Sequence, residues 1–366
     1  MVELGSGSSA GGGLQDLFRC PTCKGALQHH SDSSALICDS CALTWPVQDG
    51  IPCFLPKAVR RDYSLTTDMA MLVEIAKDRG WQEALEKHVA QTVACSGYVR
   101  EYIASEARAD FRFLMSLERG ATVLDVGSGW GNISIASARN CDLVFALDTT
   151  LANLQFIAIR AQQEGLGNVV PVLGDATCLP IPPASCDGVL MVGVLGWVPW
   201  ERNDGTPQRL QTRALREAFQ ALRPGGQLYL GIENRLGFKA FLGAREPHTG
   251  LRFISLLPRF LANYYSEMTR HRPFREWTYS QRELTRLLSQ VGFKPIHFYY
   301  PIPSYQNIRY ITDYGTPGIS RFLASRFKGH GRFSRSLHMA GLFSSLLRVE
   351  KLLSPCFSVL AEKPDA

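Results

Sequence analysis

The stretch Val123-Leu-Asp-Val-Gly-Ser-Gly-Trp-Gly-Asn132 limits what this chain can fold into more than any other. Val123–Val126 is a short apolar run of the kind that fills a buried parallel strand. Gly127, Ser128, Gly129 and Gly131 then make a tight turn, and Ile133–Arg139 reads as the first turns of a helix. A strand that ends in glycines and re-enters as a helix is how open parallel sheets hold a nucleotide-like ligand. The glycines let the backbone come close to the ligand, and the helix start offers unpaired N–H groups. Asp125 discriminates between ligands. A pyrophosphate here would meet a carboxylate, whereas a cationic ligand would be drawn to it. The order D-x-G-x-G-x-G also differs from the dinucleotide fingerprint G-x-G-x-x-G. The alternative is an ordinary strand–helix turn with an exposed aspartate.

Residues 119–301 continue as strand–helix units. A second strand, Asp142–Leu147, ends at Asp148, where an acid can accept both hydroxyls of a ribose. A third, Val169–Leu173, ends in Gly174-Asp175-Ala176, and a fourth runs from Cys186 to Leu195. Leu210–Leu222 is an amphipathic helix, Arg223-Pro-Gly-Gly226 a turn, and Gln227–Ile232 a fifth strand. Ser280 and Glu283 form a capping box at a helix start. A sixth strand is expected near Pro295–Tyr300 and a last one at Cys356–Glu362, with residues 303–353 as a basic, amphipathic insertion between them. Upstream, Met69, Leu72, Val73 and Ile75–Ala76 begin one helix, and Trp81, Leu85, His88 and Val89 fall at the spacing of a second. Tyr102, Ile103, Ala107, Phe111, Leu114 and Leu117 fit a third.

Asp125, Gly127, Gly129 and Gly131, with Asp148, Gly174-Asp175-Ala176 and the L-x-P-G-G before the fifth strand, resemble the class I S-adenosylmethionine-dependent methyltransferases. S-adenosylmethionine carries a sulfonium and an ammonium and no phosphate, which suits Asp125. The resemblance implies an α/β fold, a Rossmann-like seven-stranded sheet, with an N-terminal zinc ribbon and an α-helical insertion between the last two strands. It implies a cofactor set of Asp125, Gly127, Ser128, Gly129, Gly131, Asn132, Asp148, Thr149, Asp175, Ala176, Gly193 and Val194. Val192–Leu195 lies where the family keeps the reactive methyl and acceptor. Helices before the first strand often lid the pocket in this family, so residues 58–118 are a helical lid or connector. Tyr98, Tyr102 and Arg108 are then ligand-facing candidates, with plain packing as the alternative.

Cys20-Pro-Thr-Cys23 and Cys38-Asp-Ser-Cys41 repeat C-x2-C at the interval of a zinc ribbon, so these four thiolates are the expected ligands of one structural Zn2+. Four thiolates leave no open position for chemistry. Residues 14–57, closing on Trp45-Pro-Val-Gln-Asp-Gly-Ile-Pro-Cys-Phe-Leu-Pro56, resemble the small zinc-ribbon activator subunit of tRNA and release-factor methyltransferases and short bacterial domains related to it. That implies a protein partner for the ribbon, in cis or in trans. Cys53 lies outside the ligand spacing and reads as a small core residue. Residues 1–13 are a Gly/Ser-rich flexible tail.

The chain has 366 residues, ten cysteines, 45% apolar residues and a net charge of +6. It lacks a signal-peptide pattern and a spanning apolar run, so a cytoplasmic protein is expected, in a compartment that keeps thiols reduced. Charge is uneven. Residues 235–351 hold 15 Arg and 4 Lys against 5 Glu and 1 Asp, interleaved with aromatic residues. This favours an anionic acceptor, namely a saccharide, an RNA or a membrane surface, with a solvated basic face as the alternative. Residues 319–353 are the segment that would lie on the inner face of a membrane.

A hydroxyl acceptor needs a general base. His248, in Pro-His-Thr-Gly, and Glu233 and Asn234, at the end of the fifth strand, are the catalytic candidates, with His271 behind them. No cysteine follows the fourth strand and no N/D-P-P-Y occurs there, which argues against familiar DNA methylation. The segments Ile232-Glu-Asn-Arg235, His248-Thr-Gly-Leu251 and Tyr300-Pro-Ile-Pro-Ser-Tyr305 resemble methyltransferases of bacterial glycan pathways. Three readings are open at this point: methyl transfer to a hydroxyl of an anionic glycan or related metabolite, RNA methylation with the ribbon binding RNA or a partner, and a non-catalytic adaptor with a vestigial cofactor fold.

Overall fold

The structure is a computed structural model that describes residues 13–29, 34–55, 66–91, 102–200, 202, 204–314 and 354–365. Its centre is one sheet of eight strands: β5 (Thr122–Val126), β6 (Leu143–Asp148), β7 (Val169–Leu173), β8 (Cys186–Val192), β9 (Leu222–Glu233), β10 (Ile296–Ser304), β11 (Asn307–Asp313) and β12 (Cys356–Glu362). They lie in the order β11-β10-β12-β9-β8-β5-β6-β7. β5 to β9 pair in parallel, and their burial on both faces explains why they read as apolar runs. β12 inserts antiparallel between β9 and β10, completing the expected seven-stranded arrangement. β11 is an addition. The insertion after β10 opens with this hairpin strand rather than a helix, Asn307–Asp313 pairing antiparallel along β10. Residues 315–353, including the segment assigned to a membrane, lie outside the described residues.

Helices α1 (Thr66–Arg79), α2 (Trp81–Gln91), α3 (Asn132–Ala138), α4 (Leu151–Gln163), α5 (Pro207–Ala221), α6 (Phe238–Phe241), α7 (Arg259–Arg270) and α8 (Gln281–Val291) flank the sheet or its excursions. Local chemistry sets their starts. Thr206 accepts from Arg209 N ahead of Pro207 in α5, and Ser280 and Glu283 close the expected capping box on α8. The third upstream helix takes another form. After a short turn at Tyr102–Ala104, residues Glu106–Leu114 wind as a 3-10 segment. Its three-residue repeat turns Arg108 and Phe111 inward together, and Phe111 stacks on Tyr229 of β9 at 3.7 Å. The predicted turn Arg223–Gly226 is instead the irregular start of β9, with a register shift against Cys186–Gly188.

The ribbon is a separate four-stranded sheet: β1 (Leu27–His29), β2 (Ala35–Cys38), β3 (Thr44–Gln48) and β4 (Ile51–Pro52). It docks on its own chain. Phe54 N donates to Leu173 O at 2.7 Å and Arg19 N to Pro180 O at 2.9 Å, so the ribbon runs along β7, the open edge of the large sheet. Lys24 Nζ reaches Glu217 at 2.5 Å and Leu179 O at 2.8 Å. Phe18 wedges between Phe54 and Phe145. An edge strand that would otherwise expose unpaired backbone groups is thereby covered. Cys53 is fully buried in this seam, as expected of a core residue.

Candidate active site

The glycine turn joins β5 to α3 as expected. Gly127 has φ +71°, and a Cβ there would lie 2.3 Å from Val194, so only glycine fits between the two strand ends. Gly127 N and Ser128 N donate to Leu147 O at 2.7 and 3.0 Å, which ties the turn to β6. The space in front of Gly129 is open: a Cβ built there meets nothing within 4 Å. Gly131 caps α3 with φ +81° and lies against Ile157. Asn132 Nδ2 donates to Tyr102 O at 2.9 Å, holding the upstream segment over the turn.

Asp125 is 1% exposed, so it is not the exposed aspartate of an ordinary strand–helix turn, and it accepts Ser134 Oγ at 2.6 Å. Burial pushes its pKa up to about 6, against the opposing pull of Ser134 and the Arg108 charge. Asp148 Oδ2 accepts Gly129 N at 2.8 Å and Oδ1 accepts Thr150 N at 2.9 Å. Its carboxylate therefore braces the glycine turn. Burial raises its pKa against those backbone bonds. Thr149 follows it. Asp175 and Ala176 are buried at the end of β7, and Asp175 Oδ2 is held by Arg202 at 2.7 Å while Oδ1 accepts Thr177 N and Oγ1. Arg202 was not foreseen as its partner. Gly193 and Val194 follow β8, with Gly193 N on Gly231 O at 2.8 Å. The set thus converges on one rim, at the carboxyl ends of β5 to β8, where open parallel sheets bind ligands. An open floor at Gly129 and an acid at the β6 terminus fit a nucleoside with a cationic end.

Just past the end of β8 lies a pair that sequence spacing revealed only in half. His248 Nδ1 lies 2.5 Å from Glu246 Oε1, and both side chains are nearly buried. Glu246 Oε2 also accepts His248 N at 3.1 Å and Thr249 N at 2.7 Å, so one carboxylate shapes the loop and aims the ring. The ring meets the edge of Trp197 at 4.5 Å, and its Nε2 would be 3.3 Å from a Cβ on Gly196, just past β8. Burial acts to lower the His248 pKa, but the Glu246 bond and the charges of Glu233, Glu246 and Glu276 outweigh it, and the net shift is upward. Glu246 is held below its ordinary value because these bonds outweigh its own burial.

Glu233, at the end of β9, accepts Tyr305 Oη at 2.5 Å. The Tyr305 ring packs over Gly193 and Gly231, and burial, then Glu233, raises its pKa well above the ordinary value. Asn234 does not turn to the pocket: its Nδ2 donates to Ser354 O at 2.7 Å and its Oδ1 accepts Leu236 N at 2.9 Å, so it ties β9 to the start of β12. His271 is exposed at the end of α7 and plays no part here. The basic bias divides likewise. Arg235, Arg259, Arg270 and Arg275 are spent inside, on Glu283, Trp277, Glu276 and backbone carbonyls, while Lys239, Arg245 and Arg252 stay exposed around the His248 loop.

In the ribbon, the sulfur atoms of Cys20, Cys23, Cys38 and Cys41 lie within 4.8 Å of one another. Four converging thiols on two knuckles fit one structural zinc.

Known proteins agree with both halves. Residues 124–230 match the model of a methyltransferase domain, and residues 14–50 that of Trm112p-like proteins. A UPF0434 protein of Methylobacillus flagellatus is 42% identical over 48 residues, 13% of this chain and 80% of the relative. One from Azotobacter vinelandii is 49% identical over 47 residues, 13% and 77%. Among solved structures, a chain from the Haloferax volcanii complex of the Trm112 methyltransferase activator matches at TM-score 0.43 and 16% identity, covering 80% of this chain and 97% of that one. Haemonchus contortus phosphoethanolamine N-methyltransferase 2 with S-adenosyl-L-methionine matches at 0.42 and 15%, covering 80% and 60%. Through its N-terminal ribbon the chain belongs to the UPF0434, Trm112p-like family, and through its sheet domain it is a class I S-adenosylmethionine-dependent methyltransferase.

Proposed function

We propose that the chain transfers a methyl group to a hydroxyl of an anionic saccharide, lipid-linked or nucleotide-linked. The observation that carries this reading is the His248–Glu246 pair facing the end of β8. S-adenosylmethionine, when bound, supplies an electrophilic methyl on a sulfonium. Asp125, Gly127, Ser128, Gly129, Gly131 and Asn132, with Asp148 and Thr149, Asp175 and Ala176, and Gly193 and Val194, are the residues that would hold it.

A hydroxyl keeps its proton at neutral pH, so the acceptor must be deprotonated as it attacks. Glu246 at 2.5 Å favours a proton on Nδ1 and leaves Nε2 with a free lone pair. Nε2 is the atom that would take the acceptor proton. Glu246 then stabilises the imidazolium that forms, helped by the charges of Glu233 and Glu276. The absence of a side chain at Gly196 keeps the approach to Nε2 clear. Glu233 and Tyr305 offer a second hydrogen-bonding pair for a polyol.

Lys239, Arg245 and Arg252 support an anionic acceptor. Beside them α7 turns Phe260, Leu261, Tyr264 and Met268 to solvent, a stripe suited to the apolar part of a lipid-linked acceptor. The test is to incubate the protein with methyl-labelled cofactor and fractionated cell extract. Label is expected in the saccharide fraction. Label in RNA and nowhere in saccharide would replace this reading with the RNA one, and no transfer to any fraction would favour the non-catalytic adaptor.

A further inference from the structure

We propose that residues 235–279 seat this chain on an anionic lipid bilayer. The segment leaves the sheet after β9 and returns beside it, where Arg235 N donates to Tyr279 O at 3.1 Å and Asn234 bridges Tyr279. It folds over a small core of its own, Ile254, Ala262 and Phe274, with Leu251, Tyr265 and Trp277 packed against it. α7 buries Ala262 and Ser266 on that side. Its opposite side should be polar if it met only water.

It is not polar. Phe260, Leu261, Tyr264 and Met268 project there, each between 43% and 72% exposed. Phe241 and Leu242, at the end of α6, and Phe253 are exposed as well, and α6 and α7 both pack on the turn Ile254–Leu256. Phe253 lies over Gly243, where a Cβ would meet its ring at 2.9 Å. Ten large apolar side chains are exposed among the described residues, and seven of them fall between Phe241 and Met268. Single exposed apolar residues are ordinary, but such a concentration marks an interaction surface.

The charges of the same stretch select the occupant. Lys239, Arg245 and Arg252 are exposed, and Glu267, whose carboxylate accepts Asn263 Nδ2 at 2.8 Å, is the one exposed acid in residues 235–279. Apolar and aromatic side chains accompanied by cations match acyl chains beneath anionic headgroups. Tyr264 has an apolar body and a polar tip, which suits the boundary between the two. A second copy of the chain would set these cations against their own kind, which is repulsive. No described helix is long and apolar enough to cross a membrane, and α7, at 12 residues, would lie in the plane of the interface. Arg245 and Arg252 bridge across the His248 loop, so docking brings that loop to the headgroups.

Sedimentation with vesicles tests this. The native chain should pellet with vesicles of phosphatidylcholine carrying about 30% phosphatidylglycerol, bind pure phosphatidylcholine at least about 10-fold more weakly, and be released as salt rises from about 0.05 to 0.5 M. Phe260→Ser with Tyr264→Ser should weaken binding to the mixed vesicles by more than about 10-fold. Lys239→Gln with Arg245→Gln should weaken it by about 10-fold. These side chains face outward, so both double variants should keep the native unfolding midpoint. Phe260→Trp gives a reading that needs no loss of binding: bromine on the acyl chains should quench its added emission. No vesicle binding by the native chain, undiminished binding in both double variants, or an added tryptophan that bromine leaves unquenched would overturn the proposal. So would self-association lost in Phe260→Ser with Tyr264→Ser while vesicle binding stays intact, which would give the patch to a second copy. Vesicle binding by a chain that methylates nothing supports this surface and leaves the methyl-transfer reading to fail alone, whereas methylation without vesicle binding removes the surface.

Discussion

Replacing Glu246 by Gln should lower the pKa of His248 and remove the base. Glu246 makes a 2.5 Å contact with Nδ1 of a ring that is almost fully buried. A hydrogen bond to a charged partner contributes roughly 1.5–3 kcal/mol. Losing Glu246 removes the hydrogen bond that holds the pKa of His248 up against burial, so the pKa falls even with Glu233 and Glu276 still in place. Gln can keep the bonds from His248 N and Thr249 N with its oxygen. Its amide nitrogen then faces Nδ1 and donates, which forces the ring proton onto Nε2, the atom that should accept. Turnover should fall by about 10²–10⁴ while cofactor affinity is kept. The assay is an NMR titration of the histidine Cε1–H resonances, which needs no acceptor. In the native chain His248 titrates above the ordinary 6.5. Its stabilising contribution is therefore complete below the unfolded pKa and is lost as pH rises through the folded one. An unchanged His248 titration in the variant would refute the pairing.

Other perturbations follow from the same geometry. Cys23→Ser should take zinc below one per chain by elemental analysis and open residues 14–55 to limited proteolysis, since thiolate zinc supplies the folding free energy of so small a module; stoichiometric zinc would mean a different ligand set. Asp148→Ala should weaken S-adenosylhomocysteine by about 1.5–3 kcal/mol, with Asp148→Asn in between, because the carboxylate both braces Gly129 and meets the ligand; equal affinity by calorimetry would remove it from the site. The rate of methyl transfer should rise with pH with a midpoint above 6.5, because Nε2 accepts only when His248 is neutral and the Glu246 bond raises that pKa; a pH-independent rate between 5 and 9 would exclude a histidine base.

What the sequence made legible is local and chemically exclusive. A glycine turn, an acid at a strand end and paired C-x2-C knuckles each leave few folded solutions, and the structure holds them where spacing predicts. What it hid depends on long-range geometry. Glu246 is two residues from His248, yet only the turn of the loop brings its carboxylate to the ring rather than to water. Tyr305 reaches Glu233 from the far side of the chain because an unforeseen hairpin, β10–β11, carries it over Gly193 and Gly231. The count of arginines overstated the free positive charge, since several are used against Glu283, Glu276 and Trp277. The docking of the ribbon on β7 rests on backbone bonds that no composition reveals.

In the proposed reaction His248 deprotonates the acceptor at a cofactor site it does not itself build. The most direct measurement is methyl transfer from labelled S-adenosylmethionine to the acceptor fraction by the native chain and by His248→Ala, at cofactor concentrations that saturate both. Equal cofactor binding and a loss of transfer of about 10²–10⁴ are expected in the variant. Transfer at the native rate by His248→Ala would contradict this role.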